Sequence, residues 1–459
     1  MDKQDDITHP SGVRRRWVRR TALLSLVLLL APVASRRPSF PPTAQTLDPA
    51  GVPRLTSQVL AVVSELRGLP ARRPVEAALQ SRKTLEKQLL DDFNRRTGMK
   101  EIDADAKALE ILGLLPPNFD LRNFLVRLLV EQIAGYYRPK SRKLYLADWL
   151  PVESQRTVMA HELTHALQDQ HFNLSRFDRP PSGQSDRDLA IQALIEGEAT
   201  AVMLNYALKP QGMDILHLPV PLDSFMDELG KGDGDHSVVL RSAPAVIRES
   251  LLFPYSYGVL FVQKLLLESE GSWGRVTEAY RRLPQSTEQI MHPEKYLQHE
   301  APLRVEVPAL QHRLGSGWVW RLSDVTGEFG YFVALSEFVT VEAARRASEG
   351  WDGDQMIMIE QARTGARCLI HFTSWDSTGD AIEFFEVYAE RTDRRLGVPS
   401  VRGDSSGLDA LRSWRAPGGV TVLERRGQRV AAVESLPISL APTLPILLTE
   451  IWKSRVTGL

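Results

Sequence analysis

The sequence predicts an α+β protein, with a mainly helical domain carrying a small β-hairpin and then a smaller α+β domain with antiparallel strands. Three observations lead there. Apolar residues recur at helical spacing over much of the first two thirds of the chain. The stretch "GYYRPKSRKLYLAD", residues 135–148, breaks that rhythm with two short runs around a turn. Beyond Pro308, alternating runs such as "DQMIMIEQARTGARCLIHFTSW" and "GVTVLERRGQRVAAVES" read as hairpins. The 459 residues are 43% hydrophobic and 25% charged, with a formal net charge of -1. That is ordinary globular composition, and the balance gives no general attraction for nucleic acid.

Taken in order, "RRRWVRR" at 14–20 precedes the apolar "TALLSLVLLLAPVAS". A basic flank, a short apolar run and small residues after a proline are the layout of a secretory signal. Residues 1–35 are therefore expected to direct export, either cleaved near Ser35 or retained as a membrane anchor. Residues 36–55, rich in proline, are expected to be a linker. Helical spacing holds from about Thr56 to Gly113, broken at "PARRP", and again over "NFLVRLLVEQIAG", where Phe124, Leu128 and Ile133 are candidates for burial. After the hairpin, "PVESQRTVMAHELTHALQDQHF" returns to helix with Ser154 as its expected cap, and "RDLAIQALIEGEATAVMLNYAL" is the next helix.

Residues 209–238 read as irregular, and "GKGDGDHS" within them lacks the acidic spacing of a calcium loop. "APAVIRESLLFPYSYGVLFVQKLLLES" and "WGRVTEAYRRL" are helical. The boundary between the two domains is expected at 307/308, with the second running to 459. Within it, "DAIEFFEVYAER" and "LPILLTEIWKS" are helices, and "SEGWDGDQMIMIE" is a turn entering a strand. Cys368 is the only cysteine, which excludes an intramolecular disulfide and a multi-cysteine zinc cage. Its apolar setting, "RCLIHF", marks it as a packing residue.

The chemistry concentrates in "HELTHALQDQHF", residues 161–172. His161 and His165 are four apart, so one helical face carries both imidazoles and both can reach one ion. Glu162 lies about 100° around the helix, beside that ion, where a carboxylate can accept a proton from a metal-activated water. Two imidazoles hold an ion weakly, and "ALIEGEATAV" downstream supplies Glu196 or Glu198 from inside an apolar helix, where an unpartnered carboxylate would be costly. Asp169 is a candidate to orient an imidazole, with Asp188 behind it, and Thr200 stands one turn beyond Glu196. His171 reads as a capping or surface residue. For stabilising charge on a carbonyl oxygen, "PQSTEQIMHPEKY" offers His292 and Tyr296, and "FPYSYG" offers Tyr255 and Tyr257.

These residues resemble the gluzincin metallopeptidases, the thermolysin-like and aminopeptidase-N-like enzymes, which pair a His-Glu-x-x-His helix with a glutamate on the following helix. "IEGEAT" is similar to their Asn-Glu-Gly-Phe or Asn-Glu-Ala pattern, with Ile195 in place of Asn, and the hairpin is similar to the β-element those folds set beside the active-site helix. The resemblance implies a zincin-like domain over 56–307 and one Zn²⁺ on His161, His165 and Glu196. It also implies Glu162 as general base, and His292 first, then Tyr257, as oxyanion partners. Over roughly residues 110–300 the chain also resembles a bacterial family carrying "HELTHALQDQ", "EGEA" and "STEQIMHPEKY", with a "GWDGD" string further on. The expectation is an exported zinc metallopeptidase acting on a peptide or protein, whose substrate backbone adds as a strand between the hairpin and the active-site helix. Two alternatives stay open, a zinc-holding scaffold without activity and a zinc hydrolase of a cell-envelope component.

Overall fold

The computed structural model describes residues 48–96, 99–177, 182–230, 238–403 and 409–458. The expected export segment, most of the expected linker and residues 231–237 of "GKGDGDHS" lie outside them. Helix α1 (Val52–Arg67) starts inside the stretch expected to be linker, because Val52, Leu55, Val59 and Val63 give it an apolar face to bury. Next come β1 (Glu76–Gln80), α2 (Arg82–Arg96), α3 (Met99–Ile111) and α4 (Leu121–Gln132). The strand β1 corrects the helical reading of "VEAALQ". Local propensity there favours helix, but parallel pairing with a neighbouring strand decides otherwise.

That neighbour belongs to the expected hairpin, β2 (Gly135–Arg138) and β3 (Lys143–Ala147), and the small sheet runs in the order β1-β3-β2. It lies against α5 (Val152–Phe172), where Gly135 packs on Val158. Helix α5 begins at Val152 behind Pro151 with no side-chain cap, so Ser154 is not its cap. Helices α6 (Ser185–Leu208), α7 (Leu222–Gly230), α8 (Val238–Arg241) and α9 (Ala245–Leu267) follow, α7 and α8 falling where irregular chain was expected. Three short helices complete the region: α10 (Gly274–Ala279), α11 (Thr287–Met291) and α12 (Pro293–Leu297).

Among the described residues α9 alone is long and apolar enough to cross a membrane, and it packs as a core helix against α6. The two cross at Gly197 and Gly258 in direct backbone contact. A Cβ on Gly197 would lie 2.2 Å from the carbonyl of Gly258, and one on Gly258 2.2 Å from the carbonyl oxygen of Ala193.

The rest of the chain is β4 (Arg304–Glu306), β5 (Trp318–Asp324), α13 (Gly327–Ser336), α14 (Val341–Ser348), β6 (Trp351–Gln361), β7 (Arg367–Trp375), α15 (Thr378–Leu396), β8 (Val401–Arg402), β9 (Asp409–Ala416), β10 (Gly419–Arg426), β11 (Arg429–Leu436), α16 (Leu444–Ile451) and β12 (Arg455–Thr457). A seven-stranded antiparallel sheet has the order β5-β6-β7-β11-β10-β9-β8, so the class is α+β. The strand β4, just before the expected boundary at 308, pairs with β12 at the far end of the chain. Cys368 is fully buried in the sheet core, and desolvation alone pushes its thiol up to about 12.

No gap in the core separates the two regions. One cluster joins Leu194 of α6 and Val262 of α9 to Phe329 of α13 and Phe384 of α15. Arg391 and Arg395 reach out of α15 to the carbonyls of Leu112 and Ile111 at the end of α3, while both guanidiniums pair with buried Glu434. Cations at a helix C-terminus satisfy carbonyls that the helix itself leaves open.

Candidate metal centre

Helices α5 and α6 lie side by side, and their facing residues make the site. The four-residue spacing puts His161 and His165 on one face of α5, with ring centroids 4.8 Å apart and nearly perpendicular planes. From α6, Glu196 brings Oε2 to 3.1 Å from His161 Nε2 and 3.3 Å from His165 Nε2, and the two Nε2 atoms are 3.1 Å apart. All three side chains are buried. A tetrahedral zinc site with arms of about 2.0–2.1 Å has ligand atoms roughly 3.3–3.4 Å apart. The observed triangle is close to that size, and its donor set, two imidazoles and a carboxylate, is one zinc accepts.

The three side chains shift one another's ionisation. Burial drives His161 towards its neutral form. It acts on His165 too, but the Glu196 carboxylate outweighs it and raises that imidazole to about 9. Burial raises Glu196 as well, yet the two imidazoles pull it down to about 2. A divalent ion on these three atoms would compete with protons for the same lone pairs.

Glu162 is fully buried, and its Oε2 accepts from the backbone N–H of Tyr137 at 2.6 Å. Strand β2 therefore holds the carboxylate beside the imidazoles. A substrate strand added beside β2 would have to do without the Tyr137 N–H, which Glu162 already uses. Tyr255 of α9 is the aromatic residue that reaches the site, its ring 6.2 Å from that of His161 and inclined by 29°.

Several expected partners are elsewhere. Glu198 is two residues from Glu196, about 200° around α6, and its carboxylate is not among the ligand atoms that converge there. It is paired instead with Arg67, Gln168 and Tyr280, which removes it as a metal ligand. Asp169 orients no imidazole; it accepts from Tyr137 Oη at 2.9 Å and the Leu174 N–H at 3.2 Å, and lies 3.4 Å from Arg73. Tyr257 stacks on Phe253 at 4.9 Å and meets Arg345, on the other face of α9 from Tyr255. His292 Nε2 sits 2.8 Å from Glu328, which raises its pKa through that hydrogen bond. Tyr296 donates to the Arg282 carbonyl at 2.8 Å. Thr200 is buried with no hydrogen-bond partner for its hydroxyl among the described residues, Asp188 is half-buried in the first turn of α6, and His171 bonds the Pro70 carbonyl at 2.9 Å.

The residue that sequence reasoning missed is Gln168, whose Oε1 lies 2.7 Å from His165 Nδ1. Its signal was present, since a position three after His165 shares that residue's face. The strings "STEQ" and "GWDGD" have a structural task. Asp186 of α6 accepts from the Thr287 N–H and hydroxyl, and Asp354 accepts from the N–H groups of Thr326 and Gly327 at the start of α13 and from Trp351. A cavity of about 1390 Å³ opens beside them, lined in part by Asp103, Arg187, Arg321 and Trp351, and contains none of the triad. A second acidic group, Glu288, Glu300 and Asp376, surrounds the ammonium of Lys295 at 2.6–2.8 Å, so a lysine already fills it.

Comparison with known proteins adds one match. Residues 319–443 fit a family described as a domain of unknown function (DUF8575). That span runs from β5 to the turn before α16, covering the seven-stranded sheet and leaving the triad outside. No curated protein and no solved structure matches the chain.

Proposed function

We propose that the chain is a zinc-dependent hydrolase of the metallopeptidase type, with His161, His165 and Glu196 holding the ion. The observation that carries this reading is the triangle of three buried ligand atoms, 3.1–3.3 Å apart, contributed by two helices. Zinc in such a setting supplies Lewis acidity, polarising an amide carbonyl and bringing the pKa of a water towards about 7.

The chain's own residues do the rest. Glu162, one residue from a ligand and fixed by the Tyr137 N–H, accepts the proton of the attacking water and delivers it to the departing amine. We assign to Tyr255, whose ring packs against His161, the donation to a carbonyl oxygen as charge develops. An export signal at the N-terminus would bring this activity to a peptide or protein outside the cytoplasm.

The test compares Glu162→Gln with wild type. Wild type is expected to carry one zinc and cleave a mixed peptide library in a chelator-sensitive way, while Glu162→Gln keeps the zinc and loses turnover by about 10²-fold or more. Zinc bound without cleavage of peptide or envelope substrates would instead support the scaffold reading, and a fully active Glu162→Gln would remove Glu162 from the chemistry.

A further inference from the structure

We infer that Glu198 and Gln168 form a relay that sets the tautomer and orientation of His165, making both of them positioning residues for the metal. This rests on the reading of His161, His165 and Glu196 as a zinc site. Glu198 is wholly buried between α6, α1 and α10, and its charge is met by three donors. Arg67 Nε donates to Oε1, while Tyr280 Oη and Gln168 Nε2 donate to Oε2. Arg67 is itself fixed, with its guanidinium 4.6 Å over the Trp273 ring and one nitrogen on Thr277 at 3.1 Å.

The consequence passes through the amide. Gln168 Nε2 faces two groups that can only accept, the Ile195 carbonyl at 2.9 Å and the Glu198 carboxylate at 3.0 Å. The amide nitrogen must therefore point that way, leaving Oε1, an obligate acceptor, 2.7 Å from His165 Nδ1. His165 Nδ1 must then carry the hydrogen, so that in the neutral, metal-binding imidazole the Nε2 lone pair is turned towards His161 and Glu196. A fixed negative charge two residues after one ligand thereby presets the ligand atom of another. This gives "EGEA" two different glutamates for two different tasks, one on the ion and one behind it. Among the described residues nothing gives His161 such support, its Nδ1 having no hydrogen-bond partner there. The relay therefore sits under one imidazole only.

The test measures Zn²⁺ affinity by chelator competition for wild type, Glu198→Gln, Gln168→Met and His165→Ala, with circular dichroism reporting the fold. Glu198→Gln and Gln168→Met are expected to bind zinc about 10–100-fold more weakly. The visible absorption of the Co²⁺-substituted forms should shift as well, a change that a role in packing alone does not produce. Unchanged affinity and an unchanged cobalt spectrum in folded variants would overturn the relay. A second measurement needs no variant: ¹⁵N-labelled imidazoles in the zinc-loaded wild-type protein, where the ring is neutral, should show His165 protonated at Nδ1, and an unprotonated Nδ1 would overturn the relay even if every variant failed to fold. Failure of the zinc reading looks different, with wild type and His165→Ala binding zinc equally poorly while the Nδ1 proton of His165 still reports on Gln168 and Glu198.

Discussion

Replacing Gly197 by alanine is the most revealing single change, because local and tertiary arguments predict opposite signs. Gly197 lies mid-helix between Glu196 and Glu198. In an exposed helix the substitution would stabilise by about 0.8–1 kcal/mol. Here the new Cβ would stand 2.2 Å from both the carbonyl carbon and oxygen of Gly258. Carbon–oxygen contacts settle at about 3.3–3.6 Å, so α6 and α9 must part by roughly 1.2 Å. Backbone atoms cannot rotate aside as a side chain can, which puts the overpacking cost at the upper end of about 1–3 kcal/mol. The net expectation is a loss of about 1–2 kcal/mol.

The same displacement moves Glu196, whose distance to an ion tolerates only about ±0.2 Å. Zinc affinity should therefore fall by at least about tenfold, equivalent to about 1.4 kcal/mol. Urea unfolding of the metal-free protein and chelator competition read the two effects separately. Should Gly197→Ala be as stable as wild type and bind zinc as tightly, the close crossing of α6 and α9 would not be what positions the carboxylate.

Other outcomes follow from the same contacts. Chelation should lower the melting temperature of the zinc-loaded protein, by an amount that grows with the free zinc it replaces, because the ion binds the folded state alone; identical melting curves with and without chelator would count against the triad as a zinc site. A chain ending at 307 should be insoluble or unfolded, since Phe329 and Phe384 complete the core of α6 and α9 and Arg391 and Arg395 close α3; a cooperative unfolding transition in that fragment would show the helical region to be autonomous. The stability contributed by three buried carboxyls should fall as pH rises from about 4 to about 8 and level off beyond. Burial raises Asp186 to about 8, Asp324 to about 7 and Asp354 to about 6, with neighbouring carboxylates adding to the rise of Asp186 and Asp324, against about 3.9 unfolded. Groups raised in this way contribute stability that is present below the unfolded value and lost as pH passes the folded one. Asp186→Asn, which keeps an acceptor for Thr287, should flatten that fall, as thermal melts across the range would reveal.

The features legible in the sequence were those whose physics is local. Two histidines four residues apart share a helical face wherever the helix is placed, so the imidazole pair needed no tertiary information. The hairpin at 135–147, the paired runs around Cys368 and the burial of Phe124, Leu128 and Ile133 followed from periodicity in the same way. Where "VEAALQ" was misread, composition pointed to helix and a distant partner strand supplied the deciding hydrogen bonds.

The resemblance pointed to Glu196, but no local pattern separates it from Glu198, and only the tertiary structure shows which acid faces the imidazoles. Glu196 and Glu198 have the same chemistry and nearly the same neighbours in sequence, but 200° of helical rotation separates them. The rotation of α6 about its axis is set by its backbone contact with α9 at Gly197 and Gly258, and by Arg67 capturing Glu198 from 131 positions away. Likewise, "STEQIMHPEKY" and "GWDGD" carry residues suited to chemistry, yet their hydrogen bonds join helices to the sheet. Periodicity fixes what lies on one face of one element. Which faces meet depends on packing between elements far apart in the chain, and no local pattern encodes that.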